Sequence, residues 1–492
     1  MSRFTRRSFM KSTIAAGAGM VLAGPNSHVR GANNDLRFAV VGTGGQGSGH
    51  IKNFDGKEGV NVVALCDADR DYLEKRANDL EKKSGRKIKR FTDVRKLLED
   101  KSIDAITSAT PNHWHSLVTI WACQAGKDVY IEKPVSHNVW EGRKMIEAAR
   151  KYNRIVQTGT QKRSDGGLIE AFKYMKEGKM GAIKWSRGFC YKGRGPGTNG
   201  IVYGTNGPTS PPATVDYNLW CGPADMEPLR RKKLHYKWHW MWNTGNGDLG
   251  NQGIHEMDLA RWALGGDEKL APTVMSIGGR LGVNHVGDAG ETANTQIIYL
   301  GYKPAPLIFE VRGLPRKKGD SSMDNFRGTR VGICVQCEDG YFVGGGGGGW
   351  AYTNDGEKIK QFKGEGGGNH HQNFIDAVRS RKVSDLNADI LKGHISSALC
   401  HMGNVSHLVG KNASVDEIKK SIGGNADLMD SFDRMLSHLK ANEVDLKASP
   451  LTMGPMLNMD PRSEKFIGEH SDWANMLVKR NYREPFVVPD KV

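Results

Sequence analysis

A glycine-rich turn that follows a short apolar segment constrains the fold of this chain more than any other feature. The apolar segment 36–41 leads directly into three glycines with the spacing G-x-G-x-x-G, Gly42, Gly44 and Gly47. A second apolar segment, 60–65, ends just before Asp67. Apolar segments then alternate with helical patterns as far as residue 157. This alternation predicts an α/β domain, a doubly wound parallel sheet with helices on both faces.

Each glycine of the turn has a separate physical reason. Gly42 allows the tight turn, Gly44 lets the backbone approach a pyrophosphate, and Gly47 lets the helix pack closely on the strand. The amides at the start of the helix, including that of Gln46, then bind phosphate oxygens. The pattern predicts a Rossmann domain that binds a dinucleotide.

The choice of dinucleotide depends on the acid that follows the second strand. Asp67 stands where a carboxylate binds the adenosine ribose hydroxyls, and it repels a 2′-phosphate. NAD is therefore the expected cofactor. Arg70 lies close by in the sequence and leaves NADP possible.

Four parts are predicted along the chain: a leader and spacer (1–33), the Rossmann domain (34–157), an α+β substrate and oligomerisation domain (158–415) and a C-terminal extension (416–492). The third part alternates apolar and polar residues, which favours a mainly antiparallel open sheet. Its predicted strands are 274–281, 294–300, 307–312 and 329–343, and its predicted helices are 370–381 and 390–408. Six consecutive glycines, 344–349, predict a flexible loop. The extension contains a helical pattern over 427–440 and is expected to pack on its own domain or on another subunit.

Composition excludes several classes of protein. Hydrophobic residues make up 38% and charged residues 25%, which is typical of a globular chain. The net charge of +16 favours either anionic partners or a basic surface without a specific partner, and we prefer the second interpretation. We find no nucleic-acid-binding module and no apolar run after the leader that is long enough to span a bilayer.

No metal site is predicted. The seven cysteines are scattered, and Cys334 and Cys337 lie three apart on a predicted strand, hence on opposite faces. His235 and His239 have no acid at the spacing of metal ligands.

Two further motifs carry a resemblance. Ala-Thr-Pro-Asn-His-Trp-His ends at His115, and Glu132-Lys133-Pro134 follows an apolar strand. Together with the glycine turn, these motifs resemble the glucose–fructose oxidoreductase, inositol dehydrogenase and rhizopine-catabolism (Gfo/Idh/MocA) family over residues 36–408. The resemblance implies that Lys133 assists proton transfer at a substrate hydroxyl and that Glu132 contacts the nicotinamide ribose.

The same resemblance places Asn112 and His115 along the cofactor and makes Pro134 commonly cis. It also implies a catalytic partner for Lys133 in the segment 245–258. There Asn251 and His255 are four residues apart, on one face of a helix, where the family usually has Asp and His. Because an amide cannot take a proton, either His255 acts with Lys133 or Asp248 takes over.

Substrate contacts are predicted in two other places. The segment 235–242 alternates tryptophans as a strand would, so Trp238 and Trp240 either stack on a sugar or belong to the core, with equal weight. Tyr191 and Arg194 lie where members of the family often contact substrate.

Three functions follow from these motifs and their resemblance. The first is a dehydrogenase that transfers hydride between a secondary alcohol of a sugar, cyclitol or glycoside and the nicotinamide. The second is a redox-neutral, NAD-dependent glycosidase, for example an α-N-acetylgalactosaminidase, in which transient oxidation at C3 acidifies the C2 hydrogen. The third is a non-catalytic, cofactor-holding protein that binds glycans. In each, the expected partners are a small carbohydrate and further copies of the chain in a homo-oligomer.

The first residues predict export. Thr5-Arg6-Arg7-Ser8-Phe9-Met10-Lys11 precedes a weakly apolar run of small residues and resembles a twin-arginine signal. That route carries folded proteins, often with their cofactor bound, so we expect a periplasmic or secreted protein.

Replacing both arginines, Arg6→Lys with Arg7→Lys, should trap the precursor in the cytoplasm. Cell fractionation and immunoblotting measure this, with the single substitution Lys11→Arg as the control. Export of the double variant at the parental level would contradict the prediction.

Overall fold

Two β-sheets organise the structure, a computed structural model that describes residues 35–193, 201–265, 269–283 and 287–492. The predicted leader (1–33) and Arg194 lie outside the described residues. The first sheet is parallel and has the strand order β3-β2-β1-β4-β5-β6. Its strands are β1 Leu36–Val41, β2 Val60–Cys66, β3 Lys89–Phe91, β4 Ala105–Ser108, β5 Asp128–Ile131 and β6 Val156–Thr158.

Helices cover both faces of this parallel sheet. They are α1 Gly45–Asp55, α2 Arg70–Ser84, α3 Val94–Leu98, α4 Asn112–Gln124 and α5 Val139–Lys151. Strand β1 is central and, apart from Arg37, apolar, as expected for a strand that is buried on both sides. Ala39 and Val41 pack with one group of helices, and Phe38 and Val40 pack with the other. The predicted doubly wound fold is confirmed.

The larger sheet is mixed and mostly antiparallel, also as predicted. Its order is β16-β15-β14-β13-β7-β12-β11-β10-β18-β17, and only the β7–β12 pair among those described is parallel. The strands of the second part begin with β7 Ile183–Tyr191, then the separate pair β8 Gly204–Thr209 and β9 Leu229–Arg231, and continue with β10 Thr273–Gly279, β11 Thr295–Leu300, β12 Leu307–Arg312, β13 Val331–Cys337, β14 Tyr341–Gly345, β15 Gly348–Tyr352, β16 Lys358–Lys363, β17 Lys411–Ala413, β18 Leu451–Met453, β19 Leu457–Asp460 and β20 Lys465–Ile467.

Different helices pack on the two faces of the large sheet. The helices of this part are α6 Gly166–Lys176, α7 Tyr217–Cys221, α8 Gly247–Asn251, α9 Gly253–Ala263, α10 His370–Ser380, α11 Ile390–Leu408, α12 Val415–Ile422, α13 Ala426–Ala441 and α14 Ser471–Met476. Helices α9 and α11 bury one face of the sheet. Helices α12 and α13, from the extension, bury part of the other face through residues such as Phe432. The extension therefore packs on its own chain.

Two segments from the end of the chain return to the first sheet. Phe374 and Val378 of α10 join the core that contains Phe38. Phe486 and Val488 of the extension join the core on the opposite face. These returns fix the second domain against the carboxyl ends of the parallel strands.

Three local predictions have definite outcomes. The glycines 344–349 do not form a loop, because β14 and β15 pair as a hairpin through most of them. The segment 235–242 is not a strand, since residues 237–240 form a 3-10 helix. Cys334 and Cys337 do lie on opposite faces of β13, each in a different core cluster. Among the described residues, no helix has the length and apolar character needed to cross a membrane.

Candidate active site

A groove of about 580 Å³ runs along the carboxyl ends of β1, β2, β4 and β5. Doubly wound folds bind their ligands at this edge. Residues from both domains line the groove, including Trp220, Trp238 and Asn251 from the second domain. A ligand in the groove is therefore enclosed between the two domains.

The glycine turn has the geometry that its sequence predicts. Gly42 has φ +79°, and a Cβ there would lie 2.8 Å from the carbonyl of Ala109. A Cβ on Gly47 would lie 1.8 Å from the carbonyl oxygen of Gly42. By contrast, a Cβ on Gly44 would meet no atom within 4 Å. The groove is thus open at Gly44, and the turn and the first amides of α1 fit a pyrophosphate.

Asp67 is held at the end of β2 by three donors. Its Oδ2 accepts from the amide (2.7 Å) and the hydroxyl (3.0 Å) of Thr43, and its Oδ1 accepts from the amide of Asp69 (3.0 Å). Burial raises the pKa of Asp67, and these hydrogen bonds oppose the rise. Nearby, the guanidinium of Arg70 donates to the carbonyl of Ala213 at 3.2 Å. The Arg70 side chain therefore bonds to the second domain. Asp67 lines the groove at the position expected for the adenosine ribose.

The carboxylate of Glu132 is the most heavily bonded group of the site. Its Oε1 lies 3.0 Å from both the amide nitrogen of the Gln46 side chain and Nε2 of His50, and 3.4 Å from that of Gln161. Burial raises the pKa of Glu132, but the hydrogen bond and charge of His50 and the charge of Lys133 outweigh it and hold the pKa at about 2. Glu132 is ionised at neutral pH.

Sequence reasoning missed two residues that make this arrangement possible. His50 bridges Glu132 and the hydroxyl of Thr107, and it lies one helical turn beyond Gly47. Gly159 provides the space for the carboxylate, because a Cβ there would lie 2.8 Å from Oε1 of Glu132. The sequence offered one signal for His50, which is its position on the apolar face of helix α1. No local sequence feature marks Gly159.

Lys133 reaches across the groove to the second domain. Its Nζ donates to the backbone carbonyl of Asn251 at 3.1 Å. The Lys133–Pro134 peptide is cis, as the resemblance implied. Helices α8 and α9 meet at Gln252, so Asn251 ends one helix and His255 lies in the first turn of the next. The structure thus brings together Lys133 and Asn251, which lie 118 residues apart.

His255 has an unusual electrostatic setting. Burial and then the charges of Lys133 and Lys162 lower the pKa of His255 well below its usual value, although Glu132 opposes the shift. Its Nδ1 is buried, and no described residue forms a hydrogen bond with it. The ring is therefore neutral at pH 7 and keeps a nitrogen able to accept a proton.

Asn112 and His115 both line the groove, at the start of α4. The Asn112 amide donates to the side-chain oxygen of Asn246 at 2.8 Å, which is a second link between the domains. His115 has a carbonyl oxygen near each ring nitrogen, Pro134 at 2.6 Å and Thr110 at 2.8 Å. Burial lowers the pKa of His115, so a neutral ring donates to only one of the two carbonyls.

Two predicted substrate contacts do not reach the groove. Tyr191 packs with Phe189 on the sheet face that turns away from α9, and its hydroxyl donates to Glu310 at 2.5 Å. Trp240 is fully buried, because the 3-10 helix turns its ring into the core. Trp238 does line the groove. Asp248 is also buried and is not among the described residues that line the groove.

The chain matches two family models. Residues 36–160 match the model of an oxidoreductase family with an NAD-binding Rossmann fold, and residues 186–288 match the C-terminal α/β domain of the same family. Two stretches of the chain are thus similar to the two domains of the Gfo/Idh/MocA oxidoreductase family. The groove described above is therefore the site of an NAD-binding domain.

Similar proteins of this family differ in their names. A glycosyl hydrolase family 109 protein of Solibacter usitatus is 31% identical over 168 residues, which are 31% of this chain and 38% of the relative. An inositol 2-dehydrogenase of Salmonella paratyphi B is 30% identical over 148 residues, 30% of this chain and 43% of the relative. The matches thus span less than half the length of either relative.

A solved structure shows the same fold. The WlbA dehydrogenase of Bordetella pertussis, in complex with NADH and UDP-GlcNAcA, has a TM-score of 0.52 at 20% identity and covers 74% of this chain and 94% of its own. The two-domain fold of this chain is therefore found in a protein that was solved with NADH.

The environment of Asp67 predicts that this protein prefers NAD to NADP. A 2′-phosphate would face the Asp67 carboxylate, while Arg70 is held on Ala213. Asp67→Ala should narrow the preference by removing the repulsion, as measured by isothermal titration calorimetry with both dinucleotides. Asp71→Ala, at an exposed position in the first turn of α2, should leave the preference unchanged. Equal affinities in the parent protein would show that Asp67 does not select the cofactor.

Proposed function

We propose that this protein is an NAD-dependent oxidoreductase that acts on a secondary alcohol of a sugar, cyclitol or glycoside. The observation that supports it most is the contact of Lys133 with Asn251, which closes one end of the NAD groove. The neutral imidazole of His255 does not line the groove, but it lies close enough for the charge of Lys133 to act on it. This pairing suits the removal of a proton from a hydroxyl group.

The roles of the residues follow from this geometry. NAD, when bound, would accept the hydride from the carbon that carries the hydroxyl. Lys133 donates a hydrogen bond to the hydroxyl oxygen, and it takes up the hydroxyl proton as it passes one of its own protons to His255. His255 can receive that proton because its lowered pKa keeps the ring neutral at pH 7. Glu132, ionised and fixed by His50, keeps Lys133 in place as its neighbour in the chain.

A redox-neutral glycosidase is the second candidate. Asn251 lines the groove where an acid is usual in the family, so the site has one proton acceptor fewer. A reaction that returns both the hydride and the proton to its substrate tolerates this better than a net oxidation does. The name of the family 109 relative supports the same candidate. A non-catalytic, glycan-binding role is the third candidate, and only the Asn251 substitution favours it.

Export by the twin-arginine pathway remains part of the proposal. It agrees with a folded protein that carries its dinucleotide into the periplasm or out of the cell.

Lys133→Ala should lower turnover by about a hundredfold or more, the usual scale for loss of an acid–base group, while NAD binding changes little. His255→Ala should do the same. Turnover is followed on the best substrate from a panel of free sugars and aryl glycosides. The matched controls are Lys179→Ala and His470→Ala. Both residues are exposed, and neither lines the groove. Parental turnover in either active-site variant, with normal circular dichroism, would refute its role.

The pH profile of the parent protein gives an independent check on His255. The neutral ring is the active form, so activity falls only when pH drops through the pKa of His255. Because that pKa is lowered, the acidic limb of kcat should lie well below pH 6.5. A limb near pH 6.5 would indicate an ordinary, solvated histidine.

Hydrolysis in heavy water separates the two leading candidates. A glycosidase of the second type removes the C2 hydrogen and later replaces it from solvent. It should therefore place deuterium at C2 of the released sugar without accumulating reduced nicotinamide. A dehydrogenase should form reduced nicotinamide in proportion to a keto-sugar and release no aglycone. Mass spectrometry and absorbance measure both outcomes in one reaction.

A further inference from the structure

A strap from the second domain crosses the end of the groove where the adenosine ribose position lies. We define the strap as residues 213–216 and 235–239. The first segment pairs with the loop after β2: Val215 forms an antiparallel bridge with Asp69, and Asp216 donates its amide to the carbonyl of Ala68 at 2.9 Å. The amide of Arg70 donates to the carbonyl of Thr214 at 3.0 Å. The backbone of the second domain thus extends the Rossmann loop that carries Asp67.

The second segment of the strap is attached through one side chain. Nε2 of His235 lies 2.8 Å from Oδ2 of Asp69. The His235 ring also lies against Tyr72 of α2, with 4.7 Å between ring centroids. Asp69 itself is fixed, because its Oδ1 caps the start of α2 by accepting from the amide of Asp71. His235 is therefore anchored to the same loop as the ribose-binding carboxylate.

The strap gives the adenosine end of the groove an aromatic wall. Tyr236, Trp238 and His239 line the groove on the side of the second domain, and Trp238 and His239 stack at 3.6 Å. Tyr72 and Val94 line it on the Rossmann side. Aromatic faces pack well on a flat, apolar base such as adenine. An adenosine placed beside Asp67 lies between these two walls.

We propose that the second segment of the strap binds the adenosine half of NAD and retains the cofactor through many turnovers, with His235 as the side chain that anchors this segment to the Rossmann loop. The proposal concerns the cofactor alone and does not depend on which carbohydrate is the substrate. Its consequence for the reaction is direct. If NAD stays in the groove, a hydride taken from one carbinol carbon has to be returned to a carbonyl carbon, of the same or a second carbohydrate, before the next turnover.

The release of NADH tests the proposal without any substrate. Protein loaded with NADH is mixed with a large excess of NAD, and the loss of nicotinamide fluorescence gives the dissociation rate. His235→Ala should release NADH at least tenfold faster than the parent, since the anchor to Asp69 is lost. The matched control is Lys233→Ala, an exposed residue two positions before His235. It should release NADH at the parental rate.

A conservative variant guards against a folding defect. His235→Gln keeps a donor for the Asp69 carboxylate, so it should restore slow release in large part. The parent and His235→Gln should also retain NAD through gel filtration, whereas His235→Ala should lose it. Equal dissociation rates in the parent and His235→Ala would overturn the proposal, and so would complete loss of NAD from the parent on gel filtration. Inactivity of the parent on every sugar would count against the proposed function but leave this result unaffected.

Discussion

The buried carboxylate of Glu132 is the interaction on which the site depends. A charge removed from water must be paired and hydrogen-bonded, or it destabilises the fold by several kcal/mol. Here the donors come from different elements: Gln46 and His50 from α1, and Gln161 from the turn after β6. One carboxylate therefore ties the phosphate-binding helix to two strand ends. Lys133 follows Glu132 directly in the chain. The hydrogen bonds that hold Glu132 therefore also fix the backbone position from which the Lys133 side chain extends.

The second domain completes the site rather than merely covering it. Lys133 bonds to Asn251, Asn112 bonds to Asn246, and His235 bonds to Asp69, so each region of the groove has its own link across the domains. The returns of α10 and of the C-terminal extension to the first sheet hold this arrangement together. A cofactor bound to the Rossmann domain alone would meet only half of these groups.

Local and periodic features of the sequence predicted much of the fold. Strand β12 and helix α11 have the predicted bounds, 307–312 and 390–408, and both are buried along most of their length. The glycine turn was predictable because its constraints are steric and lie within six residues. What failed depends on distant partners. Tyr191 was expected at the substrate, but Arg434 of the extension and Glu310 draw the tyrosine into a buried ionic cluster. The segment 235–242 alternates like a strand, yet residues 237–240 form a 3-10 helix, and His235 just before it contacts Asp69 in the loop after β2.

The departure at Asn251 changes the charge of the site without changing its geometry. Lys133 bonds to the backbone carbonyl of this residue, so either an amide or a carboxylate side chain would leave the lysine in place. What the amide removes is a negative charge close to His255, which the charges of Lys133 and Lys162 already act upon. A carboxylate at residue 251 would favour protonation of that imidazole, and its absence keeps the ring neutral. In the proposed reaction the proton acceptor is therefore His255 rather than a carboxylate, and the lowered pKa of His255 favours return of that proton to the substrate.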